Sequence, residues 1–178
     1  MSTLLGLCGS LRKGSHNLKL VHEAARLHGG ALTMGDLRLP LYDGDLEEAE
    51  GIPEPVARLA AQIAEADAVI ISTPEYNKLL SGVLKNALDW VSRTPGKPWA
   101  GKPVAIMSAT AGRAGGERTQ WSLRLALMPF RPEIVPGPEM LLAGAGKEFD
   151  AEGRLTSEHY RKTLTELMEA LKARTPGR

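Results

Sequence analysis

L-L-G-L-C-G-S-L-R-K-G-S-H-N, residues 4–17, changes character twice. An apolar run suited to a buried strand stops at Gly9. A polar loop follows, Ser10 to Asn17. From Leu18 the spacing turns helical, with Leu18, Val21 and Ala25 on one side. The stretch therefore reads as strand, loop, helix. The start of such a helix carries unpaired backbone N–H groups and partial positive charge, and both favour a bound phosphate. Ser10, Ser15 and Asn17 add hydroxyl and amide donors, and Arg12 adds a planar charged fork. The loop is neither G-x-x-x-x-G-K-[ST] nor G-x-G-x-x-G, the glycine patterns that bring backbone against a nucleotide's phosphates. Its donors are mainly side chains, which suits a single phosphate monoester. The same residues also suit an ordinary capped helix with Ser15 as N-cap and the basic residues in water.

Outward from this stretch, strand and helix patterns alternate. A weaker second strand is expected over 31–37 after a Gly29-Gly30 helix end. Residues 38–55, with Pro40, Gly44, Gly51, Pro53 and an acidic run, read as a long surface connection. A helix is expected over 56–66, then the β-branched run Asp67 to Thr73, which has the composition of a central strand. Pro74-Glu75-Tyr76-Asn77 breaks it. A helix over 82–92, a turn region over 95–103, a strand over 104–109, a glycine-containing loop over 110–116 and a helix over 117–127 follow. A short fifth strand near 133–135 and a closing amphipathic helix over 156–171 complete the pattern. Alternating strands and helices predict an α/β fold with a parallel sheet covered on both faces. About five strands at this length predict a single flavodoxin-like, three-layer domain of strand order 2-1-3-4-5 over residues 1–174, with 175–178 a frayed tail.

Composition narrows the function. The chain has 178 residues and a formal net charge of +1, so no strong field toward nucleic acid or membrane is expected. Its one cysteine, Cys8, allows no internal disulfide and fits a reducing compartment. No signal-peptide pattern and no long apolar run occur. The expectation is a soluble, cytoplasmic protein acting on a small molecule, with no metal site. In an open α/β sheet the ligand lies beyond the carboxyl ends of the strands, where the strand order switches. For order 2-1-3-4-5 the loops there are 10–17 and 74–77, with 108–116 beside them. The first suits phosphate. The second offers backbone N–H groups, Asn77 and the Tyr76 ring. The third is small enough for a flat ring to approach its backbone. One phosphate and a planar heterocycle outline flavin mononucleotide (FMN). With no nucleophile elbow and dispersed histidines, the chemistry belongs to a cofactor and not to side chains.

The motifs G-S-L-R-K-G-S-H-N (9–17), P-L-Y-D-G-D-L (40–46), T-P-E-Y-N (73–77), G-V-L-K-N-A-L-D-W-V-S-R (82–93), G-K-P-V (101–104) and G-G-E-R-x-Q (115–120) run through nearly the whole chain. In these the sequence resembles the NADPH-dependent FMN reductases of flavodoxin-like fold, especially the quinone and chromate reductase branch. The resemblance implies that Ser10, Arg12, Ser15 and Asn17 hold the FMN phosphate, with His16 also among the cofactor-binding residues. It implies that Pro74, Glu75, Tyr76 and Asn77 contact the ribityl and ring region, and that Ser108, Ala109 and Thr110 line the ring. It implies hydride transfer from NADPH or NADH to FMN, then to a quinone, azo dye, free flavin or metal oxyanion such as chromate, with no catalytic side chain. It also implies a homodimer or homotetramer with the flavin near the subunit boundary. The chain departs from the family pattern at His16, where an aromatic residue is usual, at Lys78-Leu79-Leu80, and at Trp121, where Tyr is frequent. The other readings are a flavodoxin-type electron carrier, against which the near-neutral charge stands, and a Rossmann dehydrogenase, against which the missing glycine fingerprint stands.

Overall fold

The computed structural model describes residues 2–175; the tail expected at 175–178 lies, past Thr175, outside the described residues. The elements are β1 (Thr3–Cys8), α1 (His16–His28), β2 (Ala31–Gly35), α2 (Gly44–Glu50), α3 (Glu54–Glu65), β3 (Ala68–Ser72), α4 (Gly82–Val91), β4 (Pro103–Ala109), α5 (Glu117–Leu127), β5 (Glu133–Ile134), β6 (Met140–Leu142) and α6 (Glu158–Lys172). The sheet is parallel, in the order β2-β1-β3-β4-β5, with β6 also on β4. This is the flavodoxin-like order expected from the sequence.

The apolar strands read as they do because both faces of the sheet are covered. Side chains alternate between the faces. Leu4, Ala68, Ile70, Ala105 and Met107 join the core that α1 and α6 cover with Leu20, Val21, Leu164 and Leu167. Leu5, Leu7, Val69, Ile71, Val104 and Ile106 join the core under α3, α4 and α5, with Ile63, Leu84, Leu88 and Leu123. No helix among the described residues is long and apolar enough to cross a membrane.

Three features depart from the expected pattern. First, the connection 38–55 contains a helix. Asp43 caps α2 by accepting from the Asp45 N–H at 2.9 Å, and Asp45 and Glu47 occupy its first turn, where the helix dipole favours acidic residues. The acidic run is thus largely helical, and Glu47 accepts from both Arg93 (2.9 Å) and Tyr42 Oη (3.1 Å).

Second, the fifth strand is divided. Residue 133 of β5 pairs with the start of β4 and β6 with its end; β4 advances from Val104 to Met107 while its partner runs from Ile134 to Met140. Pro136 and Pro138 fall in the gap, and neither has an N–H to give the ladder. Third, Trp99, within the stretch 95–103 read as a turn region, is fully buried.

The segment before α2 is strapped to α4. The Pro40 carbonyl accepts from Asn86 Nδ2 (2.9 Å) and Trp90 Nε1 (2.8 Å), and the Tyr42 N–H donates to Asn86 Oδ1 at 2.8 Å. Tyr42 meets Trp90 edge-on at 5.0 Å. The P-L-Y-D and L-K-N-A-L-D-W motifs are therefore two halves of one internal clamp.

His28, the last residue of α1, is buried with neither ring nitrogen bonded. Burial, then Lys172, holds its pKa below the ordinary imidazole value. The folded chain keeps this ring neutral while the unfolded chain protonates it near about 6.5. Above that value the ring is neutral in both states and linkage costs nothing; as pH falls below it the unfolded chain binds the proton and the fold loses stability. His28→Leu is expected to raise stability by about 1 kcal/mol at neutral pH by removing two unpaired polar atoms. It is also expected to flatten the decline below pH ~6.5, as read by urea denaturation across the range.

Candidate functional site

At the carboxyl ends of β1 and β3, the chain must part around a close backbone approach. A Cβ on Gly9 would stand 2.5 Å from Thr73 Oγ1 and 2.9 Å from Ser81 Oγ. Only glycine lets the first loop leave the sheet here. The loop then doubles into α1 with an N-cap: Ser15 Oγ accepts from the Leu18 N–H at 3.3 Å. The N–H of Arg12 is taken up by Ser10 Oγ and that of Ser15 by the Arg12 carbonyl. The backbone N–H groups of Leu11, Lys13, Gly14, His16 and Asn17 have no partner among the described residues. Together with the start of a thirteen-residue helix, they make a concave set of donors for an anion.

Asn17 sets the shape of this loop from below. Its side chain is buried and fully engaged across two strands. Oδ1 accepts from Ser72 Oγ (2.8 Å) and the Ala109 N–H (3.0 Å), and Nδ2 donates to the Ala109 carbonyl (2.9 Å). Asn17 thus offers a ligand its backbone N–H, while its amide ties α1 to β3 and β4. His16 stands at the helix start, its ring parallel to Phe149 at 6.2 Å. The place where the family pattern has an aromatic is therefore still used for stacking. Burial, then Lys19 and Arg12, pulls the His16 pKa below the usual range. The ring is neutral in surroundings already rich in positive charge.

The second loop is zipped to α5. Gly116, at φ 89, precedes α5 and has no side chain to cap it; a Cβ there would also stand 2.8 Å from Ser108 Cβ. The cap comes from Glu75, whose carboxylate accepts from the Arg118 N–H (3.1 Å) and the Thr119 N–H (3.4 Å). A carboxylate at a helix start is favoured by the dipole. Thr119 Oγ1 donates to the Pro74 carbonyl at 3.1 Å, and the Leu80 N–H donates to Ser122 Oγ at 2.8 Å. Between them Tyr76 and Leu79 exchange both backbone hydrogen bonds at 3.1 Å, with Asn77 (φ 50) and Lys78 (φ 71) at the tip. Positive φ at both central residues is the type I′ turn that matches strand twist. The Tyr76 backbone is thereby held while its ring stays half exposed.

The third loop is braced from inside. Ser108 Oγ donates to the Gly115 carbonyl at 2.6 Å and accepts from Gln120 Nε2 at 2.9 Å. Gln120 also reaches the Met140 carbonyl. Ser108 and Ala109 are buried, and of the three expected ring-lining residues Thr110 alone reaches the surface. What Ser108 and Ala109 do here is hold the loop and the Asn17 clamp.

Arg12 and Tyr76 meet across a cleft of about 460 Å³, completed by Gly9, Leu11, Ser81, Gly82 and Val83. On the β2 side of the same loop a second hollow of about 410 Å³ takes in Ser10, Arg12 and Lys13. Leu11, Ser81, Gly82 and Val83 are absent from the sequence expectations. The signal was the S-G-V that opens the helix after the P-E-Y-N break, since a helix beginning there must face the first loop.

The family described as NADPH-dependent FMN reductase matches residues 2–147. An NAD(P)H-dependent FMN reductase of Pseudomonas aeruginosa is 42% identical over 171 residues, covering 94% of this chain and 92% of its own. A quinone reductase of Escherichia coli strain K12 is 42% identical over 139 residues, covering 76% and 74%. Among solved structures, the flavoenzyme NAD(P)H:(acceptor) oxidoreductase FerB of Paracoccus denitrificans matches with a TM-score of 0.88 at 33% identity, over 97% of this chain and 96% of that one.

Asn17→Ala would leave Ser72 Oγ and both backbone groups of Ala109 buried and unpaired. It is expected to cost about 2–4 kcal/mol of stability, measured by denaturant unfolding. A cost below about 0.5 kcal/mol, the scale of an ordinary surface change, would remove Asn17 from the clamp.

Proposed function

The chain belongs to the NADPH-dependent FMN reductase family, and from that premise we propose how its loops hold the cofactor and which acceptors it serves. It is an FMN-dependent NAD(P)H oxidoreductase of quinone reductase type. The observation that carries the residue-level reading is the group of unpaired N–H donors at the start of α1, on the same loop whose Leu11 and Arg12 line the cleft shared with Tyr76. These donors fit a phosphate monoester without further rearrangement. Ser10, Arg12, Ser15, His16 and Asn17 form the phosphate cradle. Arg12 contributes its guanidinium, and His16 and Asn17 contribute the backbone N–H groups of the first helical turn. Ser15 keeps the cap that exposes them. Pro74, Glu75, Tyr76 and Asn77 form the platform for the ring system, Tyr76 by its ring and the others by backbone and by the Glu75 brace on α5. Thr110 closes the third side, with Ser108 and Ala109 supporting it from beneath.

Bound FMN supplies the redox chemistry, accepting a hydride equivalent from NAD(P)H and yielding two electrons to an acceptor. The chain's own contribution is position. It orients the cofactor by its phosphate and keeps one side of the platform open to exchange the two substrates in turn. No acidic or basic side chain is needed to move a proton at the cleft for this role. An open cleft walled by Leu11, Tyr76 and Val83 suits flat acceptors of which quinones are the type. Azo dyes, free flavin and chromate are further acceptors for direct assay.

We also infer a homo-oligomer with the cleft close to its boundary. Trp121, Leu125 and Met128 form an exposed apolar stripe on α5 and the turn after it, and exposed Tyr76 and Leu79 lie on the loop zipped to the same helix. Large apolar side chains gathered on one face mark an interaction surface, and a second copy of the chain presents the same stripe to it.

Purified protein is expected to be yellow and to bleach on mixing with NADPH. A sample that takes up no FMN on titration overturns the assignment. Arg12→Ala is expected to weaken FMN binding by about 1.5–3 kcal/mol, the scale of a hydrogen bond to a charged group, or roughly 10- to 150-fold by titration. Unchanged affinity removes Arg12 from the cradle. Leu125→Glu is expected to lower the sedimenting mass to that of the monomer with the flavin spectrum retained; an unchanged mass places the subunit boundary elsewhere.

A further inference from the structure

Away from the cleft, at the amino ends of β4 and β5, lies a second cavity of about 410 Å³. It sits where α4 ends, so the helix that opens on the flavin cleft at Gly82 closes on this cavity at Val91. Its walls are mainly apolar, with Val91, Pro98, Trp99, Pro129 and Phe130 beside the hydroxyl residues Ser92 and Thr94. Two cations, Lys97 and Arg131, stand at its exposed edge, and no carboxylate lines it. Neither cation makes a side-chain hydrogen bond or an ion pair among the described residues.

Two further observations fall on the same cavity. Lys97 and Arg131 both have left-handed backbones, at φ 49 and φ 55, a conformation in which glycine is the less strained residue. The chain keeps a long cation at each position against that preference. Strain of this kind gathers where a side chain is needed. Trp99, which walls the cavity, is buried with its indole N–H unpaired. Buried indole N–H groups ordinarily find an acceptor. An apolar slot edged by two positive charges without an ion-pair partner is complementary to one chemistry: a flat apolar body carrying an anionic oxygen.

We propose that this cavity is a second small-molecule site, taking an aromatic carboxylate of one or two rings. Its volume lies within the range of about 300–1,000 Å³ common for such sites. The ring system lies against Pro129 and Phe130 with the buried Trp99 as the floor beneath, and the carboxylate meets Lys97 and Arg131. The site involves no part of the flavin cleft and stands or falls apart from it. The competing explanation is that the two cations only complement the carbonyl ends of α4 and of the 3₁₀ turn at Met128–Phe130. That explanation predicts no ligand.

Isothermal titration of the as-purified protein with 1-naphthoate tests the proposal. Saturable 1:1 binding is expected without change in the flavin absorption. The uncharged isostere 1-naphthalenemethanol is expected to bind at least tenfold more weakly. Lys97→Gly and Arg131→Gly, which relieve the backbone, are each expected to weaken naphthoate tenfold or more while holding or raising the melting temperature. Absence of saturable binding at millimolar naphthoate overturns the proposal. So does equal binding of acid and alcohol, or binding that alters the flavin spectrum and survives both glycine substitutions. Should a glycine variant fail to fold, the comparison of acid with alcohol on the unaltered chain still decides.

Discussion

The buried amide of Asn17 is the contact on which the site depends. One side chain from the first turn of α1 satisfies Ser72 Oγ at the end of β3 and both backbone groups of Ala109 at the end of β4. Parallel strands end in unpaired polar groups exactly where ligands bind, so something must satisfy them without filling the space above. Asn17 does so with its side chain and leaves the N–H groups of the same helical turn without a partner. The loop is consequently shaped before any ligand arrives, which lowers the ordering cost that binding would otherwise meet.

The other two loops follow the same logic of support from within. Glu75 caps a helix that follows it only after another helix and a strand, so the second and third loops are joined through α5. Gln120 and Ser108 hold the third loop against β4 and β6. Conversely, the polar side chains lining the cleft are few, Arg12, Tyr76 and Ser81, beside the apolar Leu11 and Val83. A cofactor that carries its own reactivity needs only such positioning. The polar residues that a reader of the chain would assign to chemistry are mostly engaged in making the loops rigid.

Much of the fold was legible because its signals are local. The β-branched run at Ala68–Ser72 and the largely apolar run at Pro103–Ala109 read as strands covered on both faces, and the helical spacings between them fit the parallel connection pattern. The strand order then placed the cleft between the first and second loops, where it lies. What failed to show were features decided at a distance. Helix α2 was hidden because Gly44, Gly51 and Pro53 punctuate it, although Asp43 already carried the cap. The division of the fifth strand depends on which carbonyls of β4 the prolines leave unmatched. The burial of Trp99 depends on a turn and a helix end far apart in sequence. At the candidate site, residue types marked loops that border the cleft but not each side chain's direction: Asn17 and Ser108 read as ligand contacts and turn inward. Ser81 and Gly82, which carry no chemical signature, help form the wall.

The central claim is that a phosphate sits on the N–H groups at the start of α1 and that Asn17 prepares them. A crystal structure of the FMN-saturated protein tests it most directly. The account predicts phosphate oxygens within hydrogen-bonding distance of the His16 and Asn17 backbone nitrogens and of Arg12, with the Asn17 amide still on Ser72 and Ala109. A phosphate bound elsewhere, or an Asn17 side chain turned out to meet it, would contradict the account.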